Sequence, residues 1–236
     1  METQFDRELM LLGPDALEKL KSSHVAVFGI GGVGSFAAEA LARAGVGRLT
    51  LVDNDTVSLT NLNRQLIALH STVGQNKTDV MAARIRDINP DCAVASLPRM
   101  YTSESREDFF VLGFDYIADA IDSVSCKLDL IETALNRQIP IISAMGTGNR
   151  LDPSKFVITD LSKTSGDPLA RVMRAELRKR GIVHHSVLCS TELPQKVSAA
   201  DPAVPGKRSV PGSVSWCPGA AGLMMAGFII QALLKE

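Results

Sequence analysis

The feature that most constrains the fold is a glycine pattern at residues 29–34, where "GIGGVG" joins an apolar run to a helical one. Gly29, Gly31 and Gly34 give G-x-G-x-x-G at a predicted strand-to-helix turn. There, backbone amides can approach a phosphate and the helix dipole favours an anion. Asp53 ends the next predicted strand, where a ribose-binding carboxylate belongs. Together these residues predict a nucleotide-binding α/β unit, without choosing between NAD, FAD and ATP.

The rest of the chain alternates β-rich segments with helical ones, which favours a mostly parallel sheet covered on both faces. We therefore predict an α/β fold with a Rossmann-like, doubly wound sheet and a C-terminal extension of extra strands and helices. Strands are predicted near 24–30, 48–53, 115–121, 139–144, 156–161 and 185–191, and helices near 33–45, 77–89, 127–138, 167–181 and 219–234.

This pattern predicts that the chain has three parts. We expect an N-terminal helical segment over 1–24, a nucleotide-binding core over 25–150, and a C-terminal part of the same domain over 151–236. The last part holds a basic helix, a flexible proline-rich loop over 191–213 and a buried C-terminal helix. The final apolar run is shorter than the roughly 20 residues of a membrane span, so no membrane is expected.

Charge and cysteine usage set further limits. The formal net charge is −1, yet residues 153–208 carry ten Lys/Arg against five Asp/Glu, which is either a solvated surface or a phosphate-binding footprint. The N-terminus shows no signal peptide, so the cytoplasm is the expected location. The cysteines form no C-x-x-C pair, and no zinc is expected. They are Cys92, Cys126, Cys189 and Cys217.

Two cations and one carboxylate follow successive predicted strands. Arg64 lies beyond the Asp53 strand, Lys77 begins the next helix, and Asp122 lies after the "YIADAI" strand. Triphosphate cleavage places charge on phosphorus oxygens, where fixed cations stabilise the transition state. Asp122 suits a Mg²⁺ that bridges phosphates. Each residue alone would be read as a surface charge, but the three together favour ATP over NAD.

These motifs resemble the ubiquitin-activating-type adenylyltransferase superfamily. The similarity lies in the glycine pattern with Gly32, in Asp53-x-Asp55, and in "NLNRQ", "GQNK" and "DAID". The resemblance implies ATP on the glycine loop, Asp53 on the ribose, Arg64 and Lys77 on the phosphates, and Asp122 on the metal. It also implies a homodimer, with an arginine donated from the N-terminal segment of a second subunit. Arg7 has the fitting spacing before Gly13. The implied nucleotide-binding set is Gly29, Gly31, Gly32, Gly34, Asp53, Asp55, Asn61, Arg64, Lys77 and Asp122.

The second half of the chain resembles one branch of this superfamily, the transfer-RNA threonylcarbamoyladenosine dehydratases. The similarity lies in "ITDLSKTSGDPLARVMRAELRKRGI" and "CSTELP". It implies ATP-dependent cyclisation of the threonylcarbamoyl group beside the anticodon, through an acyl-adenylate. The basic segment is then the expected RNA-binding surface, with Arg171, Arg174, Arg178, Lys179, Arg180, Lys207 and Arg208.

Several alternatives stay open at this point. A second function is the adenylation of a small ubiquitin-like sulfur-carrier protein, and a third is NAD-dependent oxidation, which Arg64 and Lys77 disfavour. A non-catalytic nucleotide-binding scaffold is a fourth. A monovalent cation, Na⁺ or K⁺, and a sulfur-transfer partner also stay open. Cys217 and then Cys189 are the candidates if the reaction passes through a thioester, although scattered cysteines are usually buried. His184 and His185 favour a strand-edge or surface role over catalysis.

Overall fold

The computed structural model describes residues 2–196 and 211–235. Seven strands form a sheet in the order β3-β2-β1-β4-β5-β7-β6, parallel throughout except where β6 runs antiparallel to β7. This confirms the predicted doubly wound, mostly parallel sheet. The strands are β1 His24–Phe28, β2 Arg48–Val52, β3 Ala93–Leu97, β4 Tyr116–Asp119, β5 Ile141–Ala144, β6 Phe156–Asp160 and β7 Ser186–Ser190. The helices are α1 Asp6–Leu12, α2 Pro14–Ser22, α3 Gly34–Arg43, α4 Lys77–Ile88, α5 Arg106–Phe110, α6 Val124–Asn136, α7 Pro168–Lys179 and α8 Trp216–Leu233.

Both faces of the sheet are buried, which explains the continuous apolar runs of its central strands. In β1, Val25 and Val27 join the core under α3, α4 and α8. Ala26 and Phe28, which alternate with them, join the core under α5, α6 and α7. All five residues of β1 are buried, as expected for a central parallel strand covered by helices on both sides.

The strand order reverses between β1 and β4, and this reversal locates the site. The chain winds from β1 to β2 and β3 in one direction, then returns to add β4 and β5 on the other side of β1. Connections leaving β1 and β4 therefore diverge and leave a crevice at the carboxyl edge of the sheet, where ligands bind in open α/β sheets.

The sequence pattern does not predict β3 or α5. β3 is an edge strand with partly exposed residues and lacks the apolar run of a central strand. α5 has only five residues, which is too short for helical periodicity to show. Within 1–24 the structure has two helices, because Gly13 separates α1 from α2 with a φ of 82°.

The C-terminal helix packs within the fold. In the described part of the chain, α8 alone is long and apolar enough to cross a membrane, but half of it is buried inside the structure. It lies against α3, where a Cβ on Gly222 would be 2.3 Å from the Val33 carbonyl oxygen. A glycine is therefore needed for this close contact, and α8 is a core helix as predicted. Residues 197–210, including Lys207 and Arg208, lie outside the described residues.

Candidate active site

A cavity of about 710 Å³ opens at the carboxyl edge of the sheet, at the crevice beside β1 and β4. It gathers residues that are far apart in the sequence, because the ends of parallel strands meet at one edge. Its lining includes Gly29, Gly31, Gly32, Asp53, Asp55, Asn61, Arg64, Lys77 and Asp122. Gly34 lies at the first position of α3, next to this wall.

The glycine loop requires its glycines for different reasons. Gly29 has a φ of 89°, and a Cβ there would lie 2.6 Å from the Ala120 carbonyl oxygen. A Cβ on Gly34 would lie 1.8 Å from the Gly29 oxygen, so these two residues permit the tight turn into α3. Gly31 faces open space, since a Cβ there would meet only Gln65 Nε2, at 3.8 Å. The backbone beside Gly31 is thus accessible to a ligand.

Asp53 lies directly after β2 and is fixed by two backbone amides. Its Oδ2 accepts from the Ile30 amide at 2.6 Å, and its Oδ1 accepts from the Asp55 amide at 2.8 Å. Burial raises the pKa of Asp53, while the positive charge of Lys77 and these amide donors oppose that rise. Each oxygen has a second lone pair, so the carboxylate can still accept ribose hydroxyls from the cavity.

Lys77 and Arg64 bring two positive charges to the cavity. Lys77 Nζ lies 2.7 Å from Asp55 Oδ2; the lysine side chain is 6% exposed and the Asp55 side chain 61% exposed. Arg64 is partly buried and donates through Nη1 to the Thr60 carbonyl oxygen and to Asn63 Oδ1. Both side chains have local acceptors that a phosphate can replace.

Asp122 and Asn61 complete the polar lining. Asp122 lies three residues beyond the end of β4, and its exposed carboxylate makes no hydrogen bond within the described residues. It is therefore available to a cation. Asn61 is buried, and its Oδ1 accepts from the Ser58 amide to close the turn Leu59–Asn61 that leads to Arg64.

Not every predicted site residue reaches the cavity. Arg7 is exposed on α1, outside the cavity lining of its own chain. On α7, Arg171 and Arg178 are exposed and free of ion pairs within the described residues. Arg174 instead donates to the Thr164 and Leu161 carbonyl oxygens. Lys179 and Arg180 both pair with Glu176, which reduces the net charge of this end of the helix. The basic face of α7 is thus narrower than the sequence spacing suggests.

The cysteines and histidines have structural surroundings. All four cysteines are free and buried, and burial raises the pKa values of Cys189 and Cys217, which lie outside the cavity lining. Cys126 lines the cavity, which the sequence reasoning did not single out. His184 is exposed beside Asp160, whereas His185 is buried and hydrogen-bonded to Ser143 Oγ at 2.8 Å. In the described residues, no three His, Cys, Asp or Glu side chains cluster as metal ligands.

Sequence reasoning missed a buried ion pair beneath the cavity. Lys127 Nζ lies 2.8 Å from Asp119 Oδ2, and both side chains are fully buried. Asp119 Oδ1 also accepts from the Ile121 amide, so the pair supports the turn that leads to Asp122. The spacing of Asp119 and Lys127 does not reveal this, because burial depends on packing by other elements.

Sequence reasoning also missed Gln65 at the cavity wall. Its Oε1 is buried without a hydrogen-bond partner in the described structure.

Known proteins are similar to this chain in both sequence and fold. A family model described as the ThiF family matches residues 5–236. The chain is 49% identical to the tRNA threonylcarbamoyladenosine dehydratase of Bacillus subtilis (strain 168), covering 99% of this chain and 95% of that protein. It is 44% identical to the Escherichia coli (strain K12) protein of the same name, covering 78% and 69%.

A solved structure gives the same result. The crystal structure of E. coli tRNA N6-threonylcarbamoyladenosine dehydratase, TcdA, in complex with ATP superposes with a TM-score of 0.88 at 36% identity. The match covers 98% of this chain and 94% of that one. The resemblance predicted from the motifs is confirmed, and the chain belongs to the ThiF family.

Proposed function

We propose that this chain is an ATP-dependent dehydratase that cyclises threonylcarbamoyladenosine in transfer RNA, beside the anticodon. The observation that carries the proposal is the joint cavity, in which an open glycine loop, Asp53, Arg64, Lys77 and Asp122 meet at one sheet edge. The 49% identity to a protein of that name, over nearly the full length of both, supports the choice of substrate.

The reaction begins with attack by the threonyl carboxylate on the α-phosphorus of ATP. A free α-carboxylate has a pKa of about 3.5, so this nucleophile is already ionised at neutral pH and no general base is needed. The cavity contributes positioning and charge: Asp53 holds the ribose, and Arg64 and Lys77 face the phosphate oxygens. Pyrophosphate leaves, and a ureido nitrogen of the same substrate then attacks the acyl carbon. The bond from that carbon to the AMP oxygen breaks, AMP leaves, and the proton of the nitrogen passes to solvent. Because ring closure is intramolecular, no enzyme nucleophile is required.

Mg²⁺ fits the donor set around Asp122. This ion is usually bound through one or two carboxylates together with substrate phosphates, and Asp122 offers a single free carboxylate at the cavity wall. When bound, Mg²⁺ would neutralise phosphate charge. A monovalent cation, Na⁺ or K⁺, is proposed as a second ion of the reaction.

The remaining assignments concern partners. Because Arg7 is exposed and outside its own cavity, it suits the site of a second subunit in a homodimer. Arg171 and Arg178 on α7 are proposed to contact RNA phosphates, and Lys207 and Arg208 are proposed to join them. The reaction is assigned to the cytoplasm, and a sulfur-transfer or carrier protein stays a candidate partner.

Mass spectrometry of nucleosides tests the function directly. The purified protein, ATP and Mg²⁺ are incubated with transfer RNA that carries threonylcarbamoyladenosine, and the RNA is digested. We expect conversion to a nucleoside lighter by one water, with AMP and pyrophosphate formed in equal amounts. Unmodified transfer RNA is the control. If the nucleoside stays intact while a ubiquitin-like carrier protein stimulates pyrophosphate exchange, the carrier-adenylating function replaces this one.

A further inference from the structure

Three consecutive backbone amides on the cavity wall have no acceptor. Gly146, Thr147 and Gly148 follow β5, line the cavity and are partly buried. Within the described residues, none of their N–H groups donates a hydrogen bond, and the Thr147 hydroxyl has no partner either. Partly buried amides normally find a partner in the protein or in a ligand. Successive free amides can bind an anion where the backbone turns, and Gly148 and Asn149 lie in a turn at the end of this segment.

The loop that carries these amides is fixed at both ends. On one side, the Met145 amide donates to the Leu188 carbonyl oxygen at 2.7 Å. On the other, Asn149 exchanges two hydrogen bonds with Gly212: the Asn149 amide donates at 2.8 Å and its Oδ1 accepts at 2.7 Å. The Asn149 carbonyl oxygen also accepts from the Gln195 amide at 2.8 Å. The free donors therefore lie between fixed residues.

A buried ion pair adds to this rigidity. Arg150 is 2% exposed; its Nη2 lies 3.4 Å from Asp167 Oδ2, and its Nη1 donates to the Glu192 carbonyl oxygen. Asp167 lies close to Gly146, since a Cβ on Gly146 would be 3.7 Å from Asp167 Oδ2. Arg150 balances that negative charge. An anion at the free amides therefore does not face an unpaired carboxylate there.

Strand order places these amides at the same sheet edge as the glycine loop that is proposed to bind the phosphates. β4 pairs with β1 on one side and with β5 on the other, so β5 ends two strands away from the glycine loop. Strands lie about 4.8 Å apart, which puts the β5 end roughly 10 Å from the end of β1. Asp53 lies on the opposite side of β1, after β2. The order across the edge is thus ribose carboxylate, glycine loop, Asp122, free amides.

We propose that the amides of Gly146, Thr147 and Gly148 bind the threonyl carboxylate of the substrate, which accepts the adenylyl group, and orient it toward the α-phosphorus. The inference rests on the proposed function and assigns a subsite within it. One carboxylate oxygen forms the bond to the α-phosphorus. The bond from that phosphorus to the bridging oxygen breaks, and pyrophosphate leaves with the electron pair. The carboxylate arrives ionised, so no proton moves. Amides bind it without supplying a proton.

The size of the loop residues matches this role. A Cβ on Gly148 would lie 2.9 Å from Pro211 Cβ, so the loop packs tightly there against the far wall of the cavity. Gly146 has only the Asp167 carboxylate oxygens within 4 Å of its Cβ position, which leaves room beside its amide. The wall is therefore closed at one end of the loop and open at the other.

Proline at position 147 tests the subsite, because proline lacks the N–H group. Thr147→Ala is the matched variant, since it removes the hydroxyl and keeps the amide. We expect Thr147→Pro to lower kcat/KM for the modified transfer RNA roughly 10–100-fold below Thr147→Ala, as loss of a hydrogen bond to a charged group implies. The affinity for ATP should be equal in both variants. Equal kcat/KM values in two folded variants would overturn the proposal.

A second measurement does not depend on whether the protein folds with proline at position 147. Millisecond hydrogen–deuterium exchange on the wild-type protein, with the α,β-methylene analogue of ATP, reports on the amides of 146–148. Their exchange should slow at least about tenfold with transfer RNA carrying the threonylcarbamoyl group, as new hydrogen bonds require. Unmodified transfer RNA should leave their exchange unchanged. The same rate with both RNAs overturns the subsite, whereas absence of nucleoside conversion by the wild-type protein overturns the function itself.

Discussion

At the scale of single residues, Lys77 is held at the cavity wall by an ion pair. Its side chain is almost fully buried and pairs with Asp55, whose own side chain is mostly exposed. The charge of Lys77 also opposes the burial that raises the pKa of Asp53. A phosphate can replace Asp55 as the acceptor at little cost, because Asp55 can return to water.

Loss of either cation should affect catalysis far more than folding. Lys77→Ala and Arg64→Ala are each expected to lower turnover about 10²–10³-fold, the usual effect of removing one charge-stabilising donor. Turnover is measured as AMP release with modified transfer RNA. Arg43→Ala is the control, since Arg43 is an exposed arginine that pairs with Glu39 on α3. Near wild-type turnover in a folded Lys77 or Arg64 variant would contradict the phosphate assignment.

His185 should make the fold sensitive to acid. Burial, with the nearby charge of Lys127, lowers the pKa of His185 to about 4. The histidine is neutral in the folded protein, whereas in the unfolded chain it takes up a proton near its ordinary pKa of 6.5. Its contribution to stability is therefore complete above pH 6.5 and is lost as the pH falls toward 4. By pH 5 the loss is about 2 kcal/mol.

Urea unfolding at pH 7 and pH 5 measures this effect. The loss of stability between the two pH values should be about 2 kcal/mol smaller in His185→Gln than in the wild type, because glutamine does not titrate. His70→Gln, at an exposed histidine, is the control. The same pH dependence in wild type and His185→Gln would show that this histidine is not the titrating group.

At the scale of elements, the N-terminus of α7 is held by one carboxylate that both caps the helix and forms a buried ion pair. Asp167 caps its N-terminus by accepting from the Ala170 amide at 2.9 Å. The same carboxylate pairs with buried Arg150, which the sequence does not reveal. The helix is thus tied to the cavity wall at its start, while its exposed arginines face outward.

Substitution of the exposed arginines of α7 should affect transfer-RNA binding, whereas substitution of Arg174 should affect stability. Arg171→Ala with Arg178→Ala should weaken transfer-RNA binding and reduce the salt slope by about one unit for each phosphate that the helix no longer binds. Arg174→Ala should instead lower stability, since its guanidinium holds the Thr164 and Leu161 carbonyl oxygens. Fluorescence anisotropy at several salt concentrations measures the slope. An unchanged slope in the double variant would remove α7 from the RNA-binding surface.

Removal of Asp167 should destabilise the protein more than removal of a similar cap. Asp167→Ala removes the α7 cap and leaves Arg150 buried without its partner. Breaking a buried ion pair lowers the free energy of unfolding by about 3–5 kcal/mol. Asp160→Ala is the matched variant, because Asp160 caps the turn Leu161–Lys163 without a buried partner. Denaturant unfolding compares the two. Equal losses would mean that the Arg150–Asp167 pair contributes nothing beyond capping.

The residues that are proposed to bind the nucleotide could be predicted to meet at one sheet edge, because glycine turns and strand-end carboxylates carry local sequence signals. Gly29, Asp53 and Lys77 were each expected from a strand end or a helix start, and all lie in or beside one cavity. The free amides of 146–148 could not be predicted in the same way. The loop that carries the amides of 146–148 is held by hydrogen bonds between Asn149 and Gly212, 63 residues away in the sequence. Such long-range contacts leave no local pattern.

At the scale of the whole molecule, one complete site requires two chains if Arg7 acts across a dimer. Arg7→Ala and Arg64→Ala proteins should then each be inactive alone, and a mixture should regain part of the activity. One of the two sites in the mixed dimer would carry both arginines. AMP release after subunit exchange measures the recovery. Without recovery, and with exchange demonstrated by differently tagged subunits, Arg7 would act within its own chain or have no role.

The acyl-adenylate itself can be tested by following one oxygen atom. Transfer RNA is prepared with oxygen-18 in the threonyl carboxylate of its threonylcarbamoyladenosine, and the products of one turnover are analysed by mass spectrometry. Attack by the carboxylate on the α-phosphorus, followed by ring closure, predicts AMP that carries one oxygen-18 atom and pyrophosphate that carries none. Formation of ADP with the label in orthophosphate would contradict the acyl-adenylate and the arrangement of the cavity proposed for it.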